Sequence, residues 1–142
     1  IAFVSCSSAA ALPVSMQRTQ EELNISKEVS GFVLPLGATI NMDGNALYQG
    51  IVALFIAQAY GIEISIPLQI MIILTGTLAS IGAAGVPGAA MVVLSTVLLS
   101  VGLPVDGIAL VAGIDRILDM GRTLTNITGD ATAACIVEKT TR

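Results

Sequence analysis

The feature that most constrains this chain is a band of ionisable and amide side chains near its end, set in surroundings with little polar company. Ile114 to Asp130 carries five charges: Asp115, Arg116, Asp119, Arg122 and Asp130. Placed on an α-helix at about 100° per residue, Asp115, Asp119, Arg122, Thr123, Asn126 and Asp130 fall within an arc of roughly 100°. The opposite side is mostly Ile, Leu, Met and Gly. Such a helix turns its stripe either to water or to a polar cavity inside an apolar body. Composition separates the two. The chain is 54% hydrophobic and 11% charged, where a soluble domain has about 25% charged residues. Its mean hydropathy is +0.88. This is the composition of a membrane protein, with a soluble all-α core protein as the alternative.

Several function classes are excluded on the same grounds. The net charge of -4 is scattered, so no basic patch for nucleic acid exists. There is no His, and Cys6 and Cys135 lack metal-like spacing, which argues against a zinc site or a disulfide framework. No nucleophile–base spacing and no phosphate loop are visible, so an enzyme is not expected. The chain opens at Ile1 inside an apolar run, without an initiator Met or a signal-peptide pattern, and we read it as part of a longer protein.

Ile1 to Val4 reads as the end of a helix. Ser5 to Pro13 is a small-residue, hydroxyl-rich run closed by Pro13, suited to a tight turn before a new helix, or to an ordinary helix–helix loop. An amphipathic helix is expected from Pro13 to Asn24. Residues 31–60 are long enough to span a bilayer, which needs about 20 residues, but Asn41-Met42-Asp43-Gly44-Asn45 interrupts them. A carboxylate at the bilayer centre costs about 2.5–3.5 kcal/mol and needs a partner. A helix broken there frees carbonyls able to ligate a cation. Gly61 to Pro67 reads as a loop. Leu68–Ala79 and Ala89–Val101 are apolar yet too short to cross, and Ser80 to Gly88 between them is rich in Gly with one Pro. That pattern predicts a re-entrant hairpin, with one long kinked helix as the alternative. After a turn at residues 102–107, a final helix is expected over Ile108–Val137, followed by an exposed tail from Glu138 to Arg142.

Asp43, Asp130, Asn41 and Asn126, with freed carbonyls, offer the oxygen ligands that Na⁺ takes. Arg122 brings a planar guanidinium suited to bidentate capture of a carboxylate, and Asp119, three residues earlier, suits an ammonium. An internal Asp119–Arg122 ion pair is the competing reading of the same spacing.

The runs Leu36–Gly44, Ser80–Gly88 and Asp119–Thr123 continuing through Asn126 to Asp130 resemble, in order, the dicarboxylate/amino acid:cation symporter family. That family includes the excitatory amino acid transporters and archaeal and bacterial aspartate and glutamate carriers. The resemblance covers essentially the whole chain. It implies an all-α membrane protein with a broken transmembrane helix, two re-entrant helical hairpins (the first only partly present) and a long amphipathic C-terminal transmembrane helix. It implies that residues 1–142 are the C-terminal part of the transport, or substrate-binding, domain, the N-terminal scaffold and remaining helices lying outside this chain. The implied function is secondary active transport: Na⁺-coupled symport of aspartate or glutamate, with H⁺ as the alternative coupling ion and a hairpin gate at 80–88.

The resemblance also implies roles for individual residues. Substrate contacts are implied for Ser7 and Ser8 of the first tip and for Val86, Pro87 and Gly88 of the second. Arg122 matches the residue that binds the side-chain carboxylate, Asp119 and Thr123 those near the amino group, and Asn126 a partner of the main-chain groups. Asn45 stands near the side-chain carboxylate, where acidic amino acid carriers commonly have Thr. One sodium site is implied at Gly37, Asn41, Asn126 and Asp130. A second, built from backbone, is implied at Thr39, Ser80, Ile81 and Ala83, and part of a third at Asn41 and Asp43. The sequence departs from the family pattern at Cys6, where some archaeal members carry Arg, and at Ala83, where some relatives carry Thr. The implied setting is a homotrimer, assembled through the scaffold, in the cell membrane as a multi-pass protein (the inner membrane in a bacterium). Alternatives are the same fold carrying a C4-dicarboxylate or a neutral amino acid, and a passive ion pore. Arg122 argues against a neutral substrate, and Asp119 argues for one with an ammonium group.

Overall fold

The computed structural model describes residues 1–141, and among these all regular structure is helical. The chain opens with α1 (Ala2–Ser5), which ends at Cys6 in the left-handed region (φ 53°). Ser7 then takes extended backbone, and its Oγ accepts the Ala10 N–H at 3.1 Å, capping α2 (Ser8–Glu22). The turn is therefore shorter than the run Ser5–Pro13 predicts. Pro13 lies inside α2, where its missing N–H leaves one helical bond unmade. The Ser7 cap, and not the proline, sets where the helix begins.

Helix α3 (Lys27–Ile40) starts at Ser26, whose Oγ accepts the Val29 N–H at 3.3 Å. Asn41 (φ -94°, ψ 69°) and Met42 (φ -98°, ψ 56°) leave helical backbone, and α4 (Asp43–Ala59) begins with Asp43 in its first turn. Pro67 in the first turn of α5 (Ile66–Ser80) is placed where its lost N–H costs nothing. Residues 81–88 are not helical. Gly82 and Gly88 there take φ +82° and +78°, a region that side chains disfavour. Helix α6 (Ala89–Ser100) follows and packs on α5, so these segments form two helices and not one kinked rod.

The final helix differs from expectation at both ends. A 3₁₀ turn (Val105–Ile108) and the short α7 (Ala109–Ala112) come first, and α8 runs from Asp115 to Thr141. The break at Gly113–Ile114 thus separates a segment expected to be continuous from Ile108 onward. Glu138 is buried within α8 and is no part of an exposed tail. Its Oε2 accepts from the Ser26 N–H at 2.9 Å and from Ser26 Oγ at 2.7 Å, placing a negative charge at the start of α3. Arg142 lies outside the described residues.

Two apolar cores flank the polar stripe. One lies between α4, α5 and α6, around Val52, Ile56, Ile72, Leu94, Val97 and Leu98. The other joins α2, α3 and α8 through Ile25, Leu34 and Ala134, with Leu12, Met16 and Val33 packed against them. No helix among the described residues is long and apolar enough to cross a membrane. The physical reason differs by helix. The break at Asn41–Met42 cuts the long apolar segment into pieces of 14 and 17 residues. The segments on either side of residues 81–88 are 15 and 12 residues long. Helix α8 has 27 residues but carries the charge stripe.

Candidate binding site

Helix α8 presents its polar side inward. Its buried residues are Asp115, Asp119, Arg122, Thr123, Asn126, Asp130, Ala134 and Glu138, which continue the predicted arc. On its outer side Ile117 is 68% exposed and Ile136 58%, while Arg122 is 5% exposed. A water-soluble amphipathic helix has the opposite arrangement. What the inward face meets is the break between α3 and α4 together with the tips at residues 5–9 and 81–88.

Arg122 lies at the start of this face. Its Nη1 is 3.1 Å from Asp115 Oδ1 and its Nη2 is 3.0 Å from Asp119 Oδ1. The guanidinium carbon sits 4.0 Å from the centroid of the Tyr48 ring. Both carboxylates lie at ion-pair distance and hold the guanidinium from two sides. The Nε of Arg122 has no acceptor among the described residues. The charge is compensated within the cluster, so an incoming carboxylate would have to replace one of these partners. Of the two sequence readings of Arg122, this structure realises the Asp119 ion pair and adds Asp115 to it. Asp115 was visible in the stripe, seven residues before Arg122 and so on the same face. Tyr48 gave no sequence signal, because its role depends on how α4 packs on α8.

Asp119 also reaches the second tip: its Oδ2 accepts the Gly88 N–H at 3.0 Å. The two tips touch each other at Gly85, whose carbonyl accepts from Ser7 Oγ at 2.7 Å and from the Ala9 N–H at 3.3 Å. Glycine allows this close approach, since a Cβ on Gly85 would lie 3.0 Å from the Ala38 carbonyl oxygen and the tip would have to give way slightly. Beneath this contact is a small cavity of about 10 Å³, room for about one water, lined by Cys6, Ser8, Met42, Asn45, Ala84, Gly85, Val86, Ala90, Asp119, Thr123 and Asn126. Of the expected substrate residues, Ser8, Asn45, Val86, Asp119, Thr123 and Asn126 thus share one cavity. Ser7 is turned to Gly85, Gly88 holds Asp119, and Pro87 and Arg122 do not line the cavity. Met42, Gly85 and Ala90 carried no assignment from sequence. Asn126 is fixed at both ends: its Oδ1 accepts the Gly44 N–H at 2.7 Å and its Nδ2 lies 3.3 Å from Met42 Sδ.

Farther along α8, Asn41 Nδ2 donates to Asp130 Oδ1 at 3.0 Å. A Cβ on Gly37 would overlap that carboxylate, and one on Gly129 would overlap Asp43 Oδ2. Gly37, Asn41, Asp43 and Asp130 are therefore brought together, while Asn126 faces Gly44, one turn of α8 away. The second expected set also converges. The Thr39 carbonyl accepts the Gly82 N–H at 3.2 Å, and the Ser80 carbonyl accepts the Ala83 N–H at 3.1 Å. Ser80 Oγ is buried without a partner, and the Ile81 side chain is exposed. Among the described residues no group of three or more His, Cys, Asp or Glu is placed to hold a metal. A cation here would depend on a mixture of carboxylate, amide and carbonyl oxygens, a donor set suited to hard cations.

The chain is similar in sequence to known proteins. The chain is 48% identical over 138 residues to excitatory amino acid transporter 3 of Mus musculus, covering 97% of the chain and 26% of that protein. It is 45% identical over 139 residues to the proton/sodium-glutamate symport protein of Bacillus subtilis (strain 168), covering 98% and 32%. It is 49% identical over 136 residues to excitatory amino acid transporter 1 of Homo sapiens, covering 96% and 25%. These relatives are transporters by name and not enzymes, and the chain spans between a quarter and a third of their length. The model of the sodium:dicarboxylate symporter family matches residues 1–140, and the chain belongs to that family.

Proposed function

We propose that this chain is the C-terminal part of the substrate-binding domain of a secondary active transporter, one that couples inward Na⁺ movement to uptake of an acidic amino acid. The observation that carries the proposal is the inverted polarity of α8, whose buried stripe meets both tips and the α3–α4 break. In this reading the guanidinium of Arg122 exchanges its pairing with Asp119 for the side-chain carboxylate of the substrate. Asp119 leaves its pairing with Arg122 and the Gly88 amide to accept the ammonium group. Asn45, Thr123, Asn126 and Ser8 surround the rest. Na⁺ is cargo, held at Asp130, Asn41, Gly37 and Asn126 and beneath the second tip at Thr39, Ser80, Ile81 and Ala83, with Asn41 and Asp43 supplying part of a third position whose other ligands lie outside this chain. The unpartnered Ser80 hydroxyl supports a ligand under that tip.

Residues 80–88 act as the gate in this reading. Ligands that bind the closed tip better than the open one shift the population toward closure, which couples ion and substrate. The membrane potential adds about 2.3 kcal/mol per net charge per 100 mV. The helical pairs α3–α4 and α5–α6 are then a broken membrane helix and a re-entrant hairpin, in a multi-pass membrane protein that assembles as a homotrimer through its scaffold.

The test uses the full-length protein in vesicles, with Na⁺ and H⁺ gradients imposed separately. An inward Na⁺ gradient should drive accumulation of labelled aspartate, and unlabelled aspartate should drive counterflow, which a passive pore cannot show. Succinate and serine should compete poorly. Retention of aspartate affinity in Arg122→Ala would overturn the assignment.

A further inference from the structure

We infer that Arg116 is a positioning residue: its guanidinium fastens the first tip (residues 5–9) to the opening turn of α8 and so sets the seat on which the second tip closes. Helix α1 ends at Ser5, and the Val4 carbonyl in its single turn is not taken up by a backbone amide among the described residues. Arg116 Nη2 donates to it at 3.0 Å. The return contact comes from Cys6, whose thiol sits between the Phe3 carbonyl at 3.7 Å and the Arg116 carbonyl at 3.8 Å. The two contacts run in opposite directions between the same short segments and bracket the left-handed turn at Cys6.

Arg116 takes no part in the buried ion cluster. Its neighbour Asp115 turns inward to Arg122, while Arg116 stands exposed on the outer side of α8 and does not line the cavity. Its influence passes along the backbone. Immediately beyond the clasp come Ser7 and Ala9, which hold the Gly85 carbonyl of the second tip, and Cys6 and Ser8, which line the cavity. The first tip is thus tied to α8 on one side and serves as the gate's seat on the other. Loss of the tie lets residues 5–9 draw away from α8. The effect of that movement on transport rests on the reading given above, but the placement of the tip does not.

Cys6 is a built-in reporter, because it is 2% exposed when the tip is seated. In the full-length protein with every other cysteine replaced, maleimide labelling of Cys6 is timed without substrate, on material shown to be folded by size-exclusion and thermal melting. R116M keeps the aliphatic stem without the donor, and R116K keeps both donor and charge. R116M should label about two- to tenfold faster, the range expected for losing one hydrogen bond to a backbone carbonyl, and R116K should return to the parent rate. An unchanged rate in R116M overturns the inference. Equal acceleration in R116K overturns it as well, since packing of the stem would then set the tip. If R116M does not fold, R116Q is compared with R116K in its place, and labelling of R116Q at the parent rate overturns the inference. A faster rate in a protein that takes up no acidic amino acid would leave the clasp standing and sink the transport reading. The reverse result would separate the two in the other direction.

Discussion

Arg122 is the residue on which the most opposing demands fall. It is buried between Asp115 and Asp119 and over Tyr48, so its positive charge compensates two carboxylates that have almost no access to solvent. Truncating one member of a buried charge cluster costs about 3–5 kcal/mol, because the remaining charges stay buried without a partner. We expect Arg122→Ala to lower the melting temperature of the full-length protein in detergent, and Asp115→Asn added to it to restore part of the loss. If the two changes simply add, Asp115 and Arg122 are not coupled, because groups in contact should show an interaction of about 0.5–3 kcal/mol in a double-mutant cycle. Gly129 makes a second prediction at this scale. A Cβ there would overlap the Asp43 carboxylate and lie 2.6 Å from Asn41 Nδ2. Gly129→Ala therefore displaces two oxygen-bearing residues at once, with an overpacking cost of about 1–3 kcal/mol. Sodium titration of substrate binding should show a weakened dependence on Na⁺. Gly121→Ala, with open space around its Cβ, serves as the control.

Among the elements, the pair α5–α6 with its tip is the part whose separate movement the contacts permit. Its base is sealed by the apolar core with α4, whereas its tip is held by single hydrogen bonds to Ser7, Ala9, Thr39 and Asp119. Replacing Gly85 by Val pushes the tip off the Ala38 carbonyl, Ala9 and Ser8. Hydrogen exchange should then speed up at the Ala9 and Gly88 amides and stay unchanged in the cores of α5 and α6. Uniform acceleration would mean that tip and base open as one unit. The sequence made much of this legible, for a physical reason. Gly and Pro at 82–88 and the polar run at 41–45 act locally on the backbone, and the phase of the α8 stripe follows from residues three and four apart. What it could not show depends on distant partners. Pro13 sits inside α2 because Ser7 caps the helix earlier, and Glu138 is buried because Ser26 reaches it from 112 residues away. Arg122 lies over Tyr48 because α4 packs on α8 there. The break at Gly113–Ile114 depends on α7 folding as its own short helix, which the unbroken apolar pattern of that stretch conceals.

For the molecule as a whole, the distribution of polarity is inverted. Among the described residues fourteen polar or charged ones are buried, while Phe32, Ile51, Ile66, Val92, Leu99 and Ile117 are each at least 67% exposed. The accessible surface is 7666 Å², above the about 6,900 Å² expected of a compact monomer of 14.5 kDa. A surface this apolar needs a cover, which lipid or the further segments present in the longer relatives can supply. The 142-residue chain alone should therefore self-associate in water and become monomeric and helical in detergent micelles, as read by sedimentation and far-UV circular dichroism. A helical monomer in plain buffer would show that the outward apolar faces need no cover. It would also remove the reason for placing the polar stripe in a membrane-buried site, since a stripe facing an interior cavity and an apolar exterior facing lipid are two sides of one distribution. The inward cluster supplies a second readout from the same preparation. If the chain folds in micelles as described, Cys6 should label more slowly than Cys135, because the first tip closes over one thiol while the other is only half-buried beside the α2–α3–α8 core.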